Sequence, residues 1–151
     1  MRSRGVLSAS IEATVAFHDV DIVGVVWHGH YLKYLENARW ALMERLAFGL
    51  EAMTASGYGW PIVELQVKYV QAAKFGDRLT VRASLIEWQN RVVVNYLVTR
   101  TGSDERVARA RTVQVAVDAK TGVLQFDTPQ ILLDRVQQAL LANPVNTAAD
   151  Q

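Results

Sequence analysis

Asp19-Val20-Asp21-Ile22-Val23-Gly24-Val25-Val26-Trp27-His28-Gly29-His30-Tyr31 sets two carboxylates, a turn glycine and two histidines directly ahead of a long amphipathic segment. Upstream of it, Ile11, Ala13, Val15 and Phe17 alternate weakly with Glu12, Thr14 and Ala16, the period of a strand with one buried face. Downstream, from Tyr31 to about Leu50, apolar residues recur at Tyr31, Leu35, Leu42 and Leu46, with Tyr34, Ala38 and Ala41 beside them. Lys33, Glu36, Asn37, Arg39 and Glu44 fall elsewhere, so the spacing predicts one long helix with a broad apolar face. Between strand and helix, a carboxylate in a Gly-containing turn lies close to a helix N-terminus with unpaired N–H groups. An acid or base beside such an oxyanion site is the minimum equipment for acyl transfer.

Farther along the chain the period changes from helical to alternating. Thr54 to Trp60 reads as a turn containing Gly57 and Gly59, and Pro61 leads into Val63, Leu65, Val67 and Tyr69 alternating with Glu64, Gln66 and Lys68. Three more strand-like runs follow, Arg78 to Trp88, Arg91 to Arg100 and Arg106 to Asp118, separated by turns at Gln89-Asn90 and Thr101-Gly102-Ser103-Asp104. Ile131, Leu132, Val136 and Leu140 after Pro129 predict a short C-terminal helix before a polar tail, Asn143 to Gln151. One strand, one long helix and four antiparallel strands make an α+β pattern in which the sheet wraps its apolar face around the helix. With no internal repeat or low-complexity linker, residues 1–151 read as one domain with its core at about 10–142.

Composition removes several classes of function. A net charge of +1 offers no field for gripping nucleic acid. Zero cysteines exclude disulfides, thiolate zinc sites and a cysteine nucleophile, and they fit a reducing cytoplasm. Met1 to Ser8 carries positive charge without the apolar run of a signal peptide, and no stretch approaches a transmembrane span. The expectation is a cytoplasmic protein with neither a membrane nor a nucleic-acid partner.

The same residues admit other chemistries, and each lacks a part. His28 and His30, with oxygen from Asp19 or Asp21, could begin a metal site, but no third histidine has helix spacing to the pair and His18 is on the preceding strand. Asp19-Val20-Asp21 opens like a calcium loop, yet no acid follows at the twelfth position. No metal or cofactor is therefore expected. Ser56 and Ser84 lie outside any Gly-x-Ser-x-Gly elbow. Glu64 is a competing carboxylate, but its strand face also carries Gln66 and Lys68, as a solvated or interface residue would. Gly24 suits an unusual backbone angle or a close ligand approach. For Asp21, the residues alone favour a cap or turn carboxylate. Trp27, Tyr31, Tyr34 and Trp60 are ordinary core candidates as readily as pocket walls.

Phe17-His18-Asp19-Val20-Asp21-Ile22-Val23-Gly24-Val25-Val26-Trp27-His28-Gly29-His30-Tyr31-Leu32-Lys33-Tyr34-Leu35-Glu36 resembles the hot-dog thioesterases of the 4-hydroxybenzoyl-CoA and YbgC-like type, whose pattern is Asp-x-Asp, Gly-[Val/Ile]-Val, aromatic, His, Tyr. The resemblance continues through Tyr69-Val70-Gln71-Ala72-Ala73-Lys74-Phe75-Gly76-Asp77-Arg78-Leu79-Thr80-Val81. It implies the hot-dog fold, a curved antiparallel sheet of about five strands around one central helix. It implies a thioester hydrolase in which Asp21 is nucleophile or general base, Asp19 its structural neighbour, and the His28 backbone N–H polarises the carbonyl. Gly24, Val25, Trp27 and Tyr31 would then border the acyl group. Arg91, after Glu87-Trp88, would contact the coenzyme A phosphates, where 4-hydroxybenzoyl-CoA thioesterase has a cluster of basic residues. An acyl carrier protein is the alternative donor, met through Lys68, Lys74, Arg78 and Arg91. A homodimer or homotetramer with sites between subunits is the implied assembly. A non-catalytic acyl-thioester-binding protein and a hot-dog dehydratase are the other readings of the fold.

Overall fold

Strands β1 (Leu7–Thr14), β3 (Ile62–Tyr69), β4 (Arg78–Glu87), β5 (Val92–Arg100) and β6 (Arg106–Gln114) form one antiparallel sheet in the order β1-β4-β5-β6-β3. They belong to a computed structural model that describes residues 7–142. The tail expected at 143–151 and the basic stretch at 1–6 lie outside those residues. Helix α1 (Tyr31–Arg45) crosses the inner face, α2 (Leu50–Ala55) follows it, and α3 (Gln130–Ala142) ends the described chain. A two-residue ribbon pairs β2 (Tyr58–Gly59) with β7 (Val117–Asp118). This sheet wrapped around one helix is the hot-dog architecture that the resemblance implied.

Alternation decides what is inside. On β4, Leu79, Val81, Ala83 and Leu85 are buried, and on β5 so are Val92, Val94, Tyr96 and Val98. They meet Tyr34, Leu35, Ala38, Leu42 and Met43 of α1 in a single apolar cluster. Burying each large side chain contributes about 1.5–3 kcal/mol, so this cluster is the main stabilising term. Helix α1 packs against β1 and β4, at one edge of the sheet. The other edge, β3, has no such cover, and Val63, Leu65 and Tyr69 stay exposed despite their alternating pattern.

Several boundaries differ from the sequence expectation. The first strand is Leu7–Thr14 rather than Ile11 to Phe17, because Ala16 to Asp19 turns away through a 3-10 turn at Phe17–Asp19 and leaves Phe17 exposed. The helix expected to reach Leu50 stops at Arg45, where Ala47 takes a left-handed φ of 53° and redirects the chain into α2. The turn expected from Thr54 is thus partly helical. The run from Arg106 to Asp118 breaks after Gln114, and its last two residues leave the large sheet for β2. Among the described residues, no helix is long and apolar enough to cross a membrane.

Candidate active site

Asp19 to Trp27 folds into a tight hairpin. Val20 and Val26 form an antiparallel bridge, the Asp21 N–H donates to the Val25 carbonyl at 2.8 Å, and the Gly24 N–H donates to the Asp21 carbonyl at 2.9 Å. Gly24 holds φ at +90°, where a glycine avoids the strain a side chain would bring. The return arm is stitched to the loop after β3, since Val25 bridges Lys74 and the Val26 N–H donates to the Ala73 carbonyl at 2.8 Å. The turn tip therefore stands on two supports.

The two carboxylates of this hairpin have opposite surroundings. Asp19 is 3% exposed and accepts from Lys33 Nζ at 2.5 Å, the Tyr34 hydroxyl at 2.7 Å and the Ala16 N–H at 3.1 Å. Burial pushes its pKa up, but Lys33, Tyr34 and the Ala16 N–H outweigh burial and hold the carboxyl well below the usual carboxylate range. The same contact, added to burial, pushes the Tyr34 phenol well above its ordinary value. Asp21 is only half-buried, and its Oδ1 accepts from the Val23 N–H at 2.9 Å. One carboxylate is tied down as an anion inside the fold, and the other faces outward at the turn.

Opposite the hairpin, a 3-10 turn at His28–His30 runs directly into α1. The His28 and Gly29 N–H groups have no acceptor among the described residues, so the helix start presents free donors with the dipole behind them. Trp27 folds over Gly29, where any Cβ would collide with the indole, and its ring lies 4.9 Å from that of His28 and 5.1 Å from that of His30. Tyr69, at the end of β3, donates its hydroxyl to the His28 carbonyl at 2.7 Å. That bond ties the open edge of the sheet to the helix start.

The sequence-derived residues are not all in one place. Asp21, Gly24, Val25, Trp27 and His28 share the hairpin and the helix start. Tyr31 is buried behind them, its hydroxyl accepting from the Ala73 N–H at 3.3 Å, and burial pushes its phenol pKa up. Arg91 lies at the opposite end of the sheet, because β4, ten residues and about 30 Å long, separates the Asp77-Arg78 end from the Glu87 end. There it makes an exposed ion pair with Glu87 at 3.3 Å. His28 and His30 are not joined by a third ligand, and among the described residues no three His, Asp or Glu groups converge as a metal site would.

Sequence reasoning missed three supports of the site. Lys33 and Tyr34 reach Asp19 from the first turn of α1, fourteen and fifteen positions away, and only the hairpin's return brings them together. Asp77 accepts the Lys74 N–H at 2.9 Å and pairs with Arg100, which also donates to the Ala72 carbonyl at 3.0 Å. The Lys74 N–H and Arg100 outweigh burial and hold the Asp77 pKa low, so this ionised latch fixes the loop that carries Ala73. The third is Tyr69 on His28. A tyrosine closing an alternating strand was the visible signal, but its partner was not.

The family model of the thioesterase-like superfamily matches residues 15–144. A putative esterase of Synechocystis sp. is 27% identical over 126 residues, which cover 79% of this chain and 72% of the relative. The 4-hydroxybenzoyl-CoA thioesterase of Pseudomonas sp. is 28% identical over 115 residues, 72% of this chain and 82% of that one. Among solved structures, a 1,4-dihydroxy-2-naphthoyl-CoA thioesterase from Synechocystis matches with a TM-score of 0.79 at 22% identity, over 91% of this chain and 99% of the other, a likeness of fold.

Proposed function

The chain belongs to the thioesterase-like superfamily and is a thioester hydrolase, and on that premise we propose that Asp21 is its reacting carboxylate and the His28 N–H its oxyanion donor. The contrast between the two carboxylates carries the reading. Asp19 is buried and engaged by three donors, whereas Asp21 stands half-open at the turn, near a helix start with unpaired N–H groups. Asp21 either attacks the thioester carbonyl, expelling thiolate and leaving a mixed anhydride for water to open, or takes a proton from the attacking water. Either route yields free acid and thiol. In either, negative charge develops on the carbonyl oxygen, where a fixed N–H backed by the α1 dipole is worth most.

Gly24, Val25 and Trp27 border the acyl group in this reading, and buried Tyr31 supports the wall from behind. The carrier is coenzyme A or an acyl carrier protein. Arg91 serves coenzyme A phosphates only from a second subunit, because in its own protomer it sits a strand length away from Asp21. An antiparallel pairing of two sheets brings the Arg91 end of one beside the Asp21 end of the other. We therefore take the working unit as a homodimer, with a homotetramer as its larger form.

The test is free-thiol release from a panel of acyl- and aroyl-CoA thioesters, run with the wild-type protein and Asp21→Asn. Turnover by wild type and loss of at least about a hundredfold in the variant, with unchanged thermal stability, is expected. A folded Asp21→Asn with wild-type rates moves the role elsewhere. Ligand binding without turnover by wild type would instead favour a binding protein on the same fold.

A further inference from the structure

We propose that Tyr69 is a positioning residue for the reaction: its hydroxyl holds the peptide group between His28 and Gly29, and so aims the Gly29 N–H as a second oxyanion donor beside the His28 N–H. This rests on the helix start being the oxyanion site, as proposed above, and adds to it a residue from a different element. The side chain of Tyr69 is 50% exposed, so water is available to its hydroxyl. The hydroxyl instead donates to the His28 carbonyl at 2.7 Å, across 41 positions of sequence. A bond made to that one backbone oxygen acts on the amide next to it.

The His28 carbonyl and the Gly29 N–H belong to the same planar peptide group, in which the oxygen and the hydrogen point opposite ways. Fixing the oxygen therefore fixes the direction of the hydrogen. A carbonyl that accepts a bond also polarises its own amide, which makes the N–H on the far side a stronger donor. Neither the His28 nor the Gly29 N–H has an acceptor among the described residues, and neighbouring N–H groups at a helix start can serve one negative oxygen together. Gly29 is also shielded. A Cβ there would come within 2.2 Å of the Trp27 indole, so the ring lies against this residue and keeps water from that side of the amide, where a fixed donor gains most.

The phenol is itself held in place. Tyr69 pairs with Ala108 of β6, the next N–H, of Val70, donates to the Val107 carbonyl at 2.9 Å, and the ring meets those of Tyr31 at 5.5 Å and His28 at 6.5 Å, edge to face. A few residues farther along, the same segment holds the other half of the site, because the Ala73 carbonyl accepts the Val26 N–H and Lys74 bridges Val25 on the return arm of the hairpin. Residues 69–74 thus grip the helix start through Tyr69 and the Asp21 hairpin through Ala73 and Lys74. The spacing between carboxylate and donors is set by that one stretch of chain, and small errors in such spacing are costly to rate. A phenylalanine at position 69 keeps the ring contacts and loses only the bond to His28.

Steady-state thiol release by wild type and Tyr69→Phe, on the thioester of the panel that turns over fastest, is the first half of the test. The variant should lose about tenfold or more in kcat with KM within about twofold, and melt within about 2 °C of wild type. The second half is infrared spectroscopy of both proteins with the matching ketone analogue, in which CH2 replaces the thioester sulfur and the carbonyl carries 13C. Its carbonyl stretch should fall below the free value in wild type and move back toward it in Tyr69→Phe. Wild-type kcat in the variant overturns the proposal, as does a raised KM at unchanged kcat, which would make Tyr69 a binding wall only. A lower kcat with an unmoved carbonyl stretch overturns it too. A stretch at the free value in wild type removes the oxyanion site from the helix start, and the His28 assignment falls with it. An Asp21→Asn variant with wild-type rates moves the carboxylate role alone, since the ketone reports on the donors without Asp21.

Discussion

The inner face of the sheet is apolar from edge to edge, yet its two halves end differently. Under α1, Leu42 and Leu79 are both 0% exposed, while on β3 Leu65 is 43% and Tyr69 50% exposed. The long helix α1 lies over β1 and β4. The same kind of residue is thus core at one edge and surface at the other, and the difference follows from where α1 lies. An apolar face with free backbone groups along its rim is a place for another chain.

Truncation at matched leucines breaks this comparison most directly. Leu42→Ala removes a fully buried side chain and should cost about 3 kcal/mol in urea unfolding at any protein concentration. Leu65→Ala should cost under about 1 kcal/mol when the protein is dilute. Its cost should grow with concentration as assembly covers the site. Equal costs at all concentrations would mean that β3 is covered by something within the protomer.

How much of this could be read from residues follows the same division. The alternation on β4 and β5 and the helical period after Tyr31 gave the layers, because burial on one face leaves a period that sequence preserves. The exposure of β3 was not legible, since its pattern is as apolar as that of a covered strand and only the position of α1 distinguishes them. In the site, Asp21, Gly24 and the helix start were visible because a turn and a helix N-terminus are local. The tethering of Asp19 by Lys33 and Tyr34 was not, because it needs two segments brought together. Arg91 was placed with Asp21 by resemblance alone, and within one protomer a strand's length stands between them.

The hairpin supplies a second comparison, between carboxylates two residues apart. Asp21→Asn should cost at least about a hundredfold in turnover, roughly 2.7 kcal/mol of transition-state stabilisation, and leave stability alone. Asp19→Asn should do the reverse. It leaves Lys33 and Tyr34 with a neutral partner in a buried site, for a loss of about 2 kcal/mol of stability, discounted because Lys33 is itself half-exposed. Because the folded-state pKa of Asp19 is depressed, its contribution is present above the unfolded carboxylate pKa of about 4 and is lost as pH falls below it. Stability measured from pH 7 down to 2 should therefore fall more steeply in wild type than in Asp19→Asn. Parallel acid limbs would show that Asp19 is not held as the anion.

A smaller effect is expected at His28. Its exposed imidazole makes ring contacts with Trp27 and Tyr69, but the proposed donor is the backbone N–H, which substitution leaves in place. His28→Ala should keep roughly a tenth or more of wild-type kcat, well above Asp21→Asn. Activity as low as that of Asp21→Asn would give the imidazole itself a part in the reaction. Added chelator should leave both proteins unchanged, and inactivation reversed by zinc would replace this mechanism with a metal-assisted one.

The smallest effect concerns the point where the chain leaves the covered half for the bare one. After Arg45 the chain turns at Ala47, in a left-handed conformation that an alanine holds at a cost of about 1 kcal/mol. The Ala47 N–H reaches the Glu44 carbonyl and the Phe48 N–H the Met43 carbonyl, both at 2.9 Å, which caps the end of α1 and anchors fully buried Phe48 in the core. No glycine marks this stop, which explains why the helical period seemed to run on toward Leu50. Ala47→Gly removes the strain but gives the unfolded chain more freedom, so the net gain should be a few tenths of a kcal/mol. A melting temperature raised by a degree or so with unchanged activity is the expected reading. A clear loss of stability would place Ala47 in a right-handed helix continuing past Arg45, and α1 would then cover more of the sheet than the β1–β4 half.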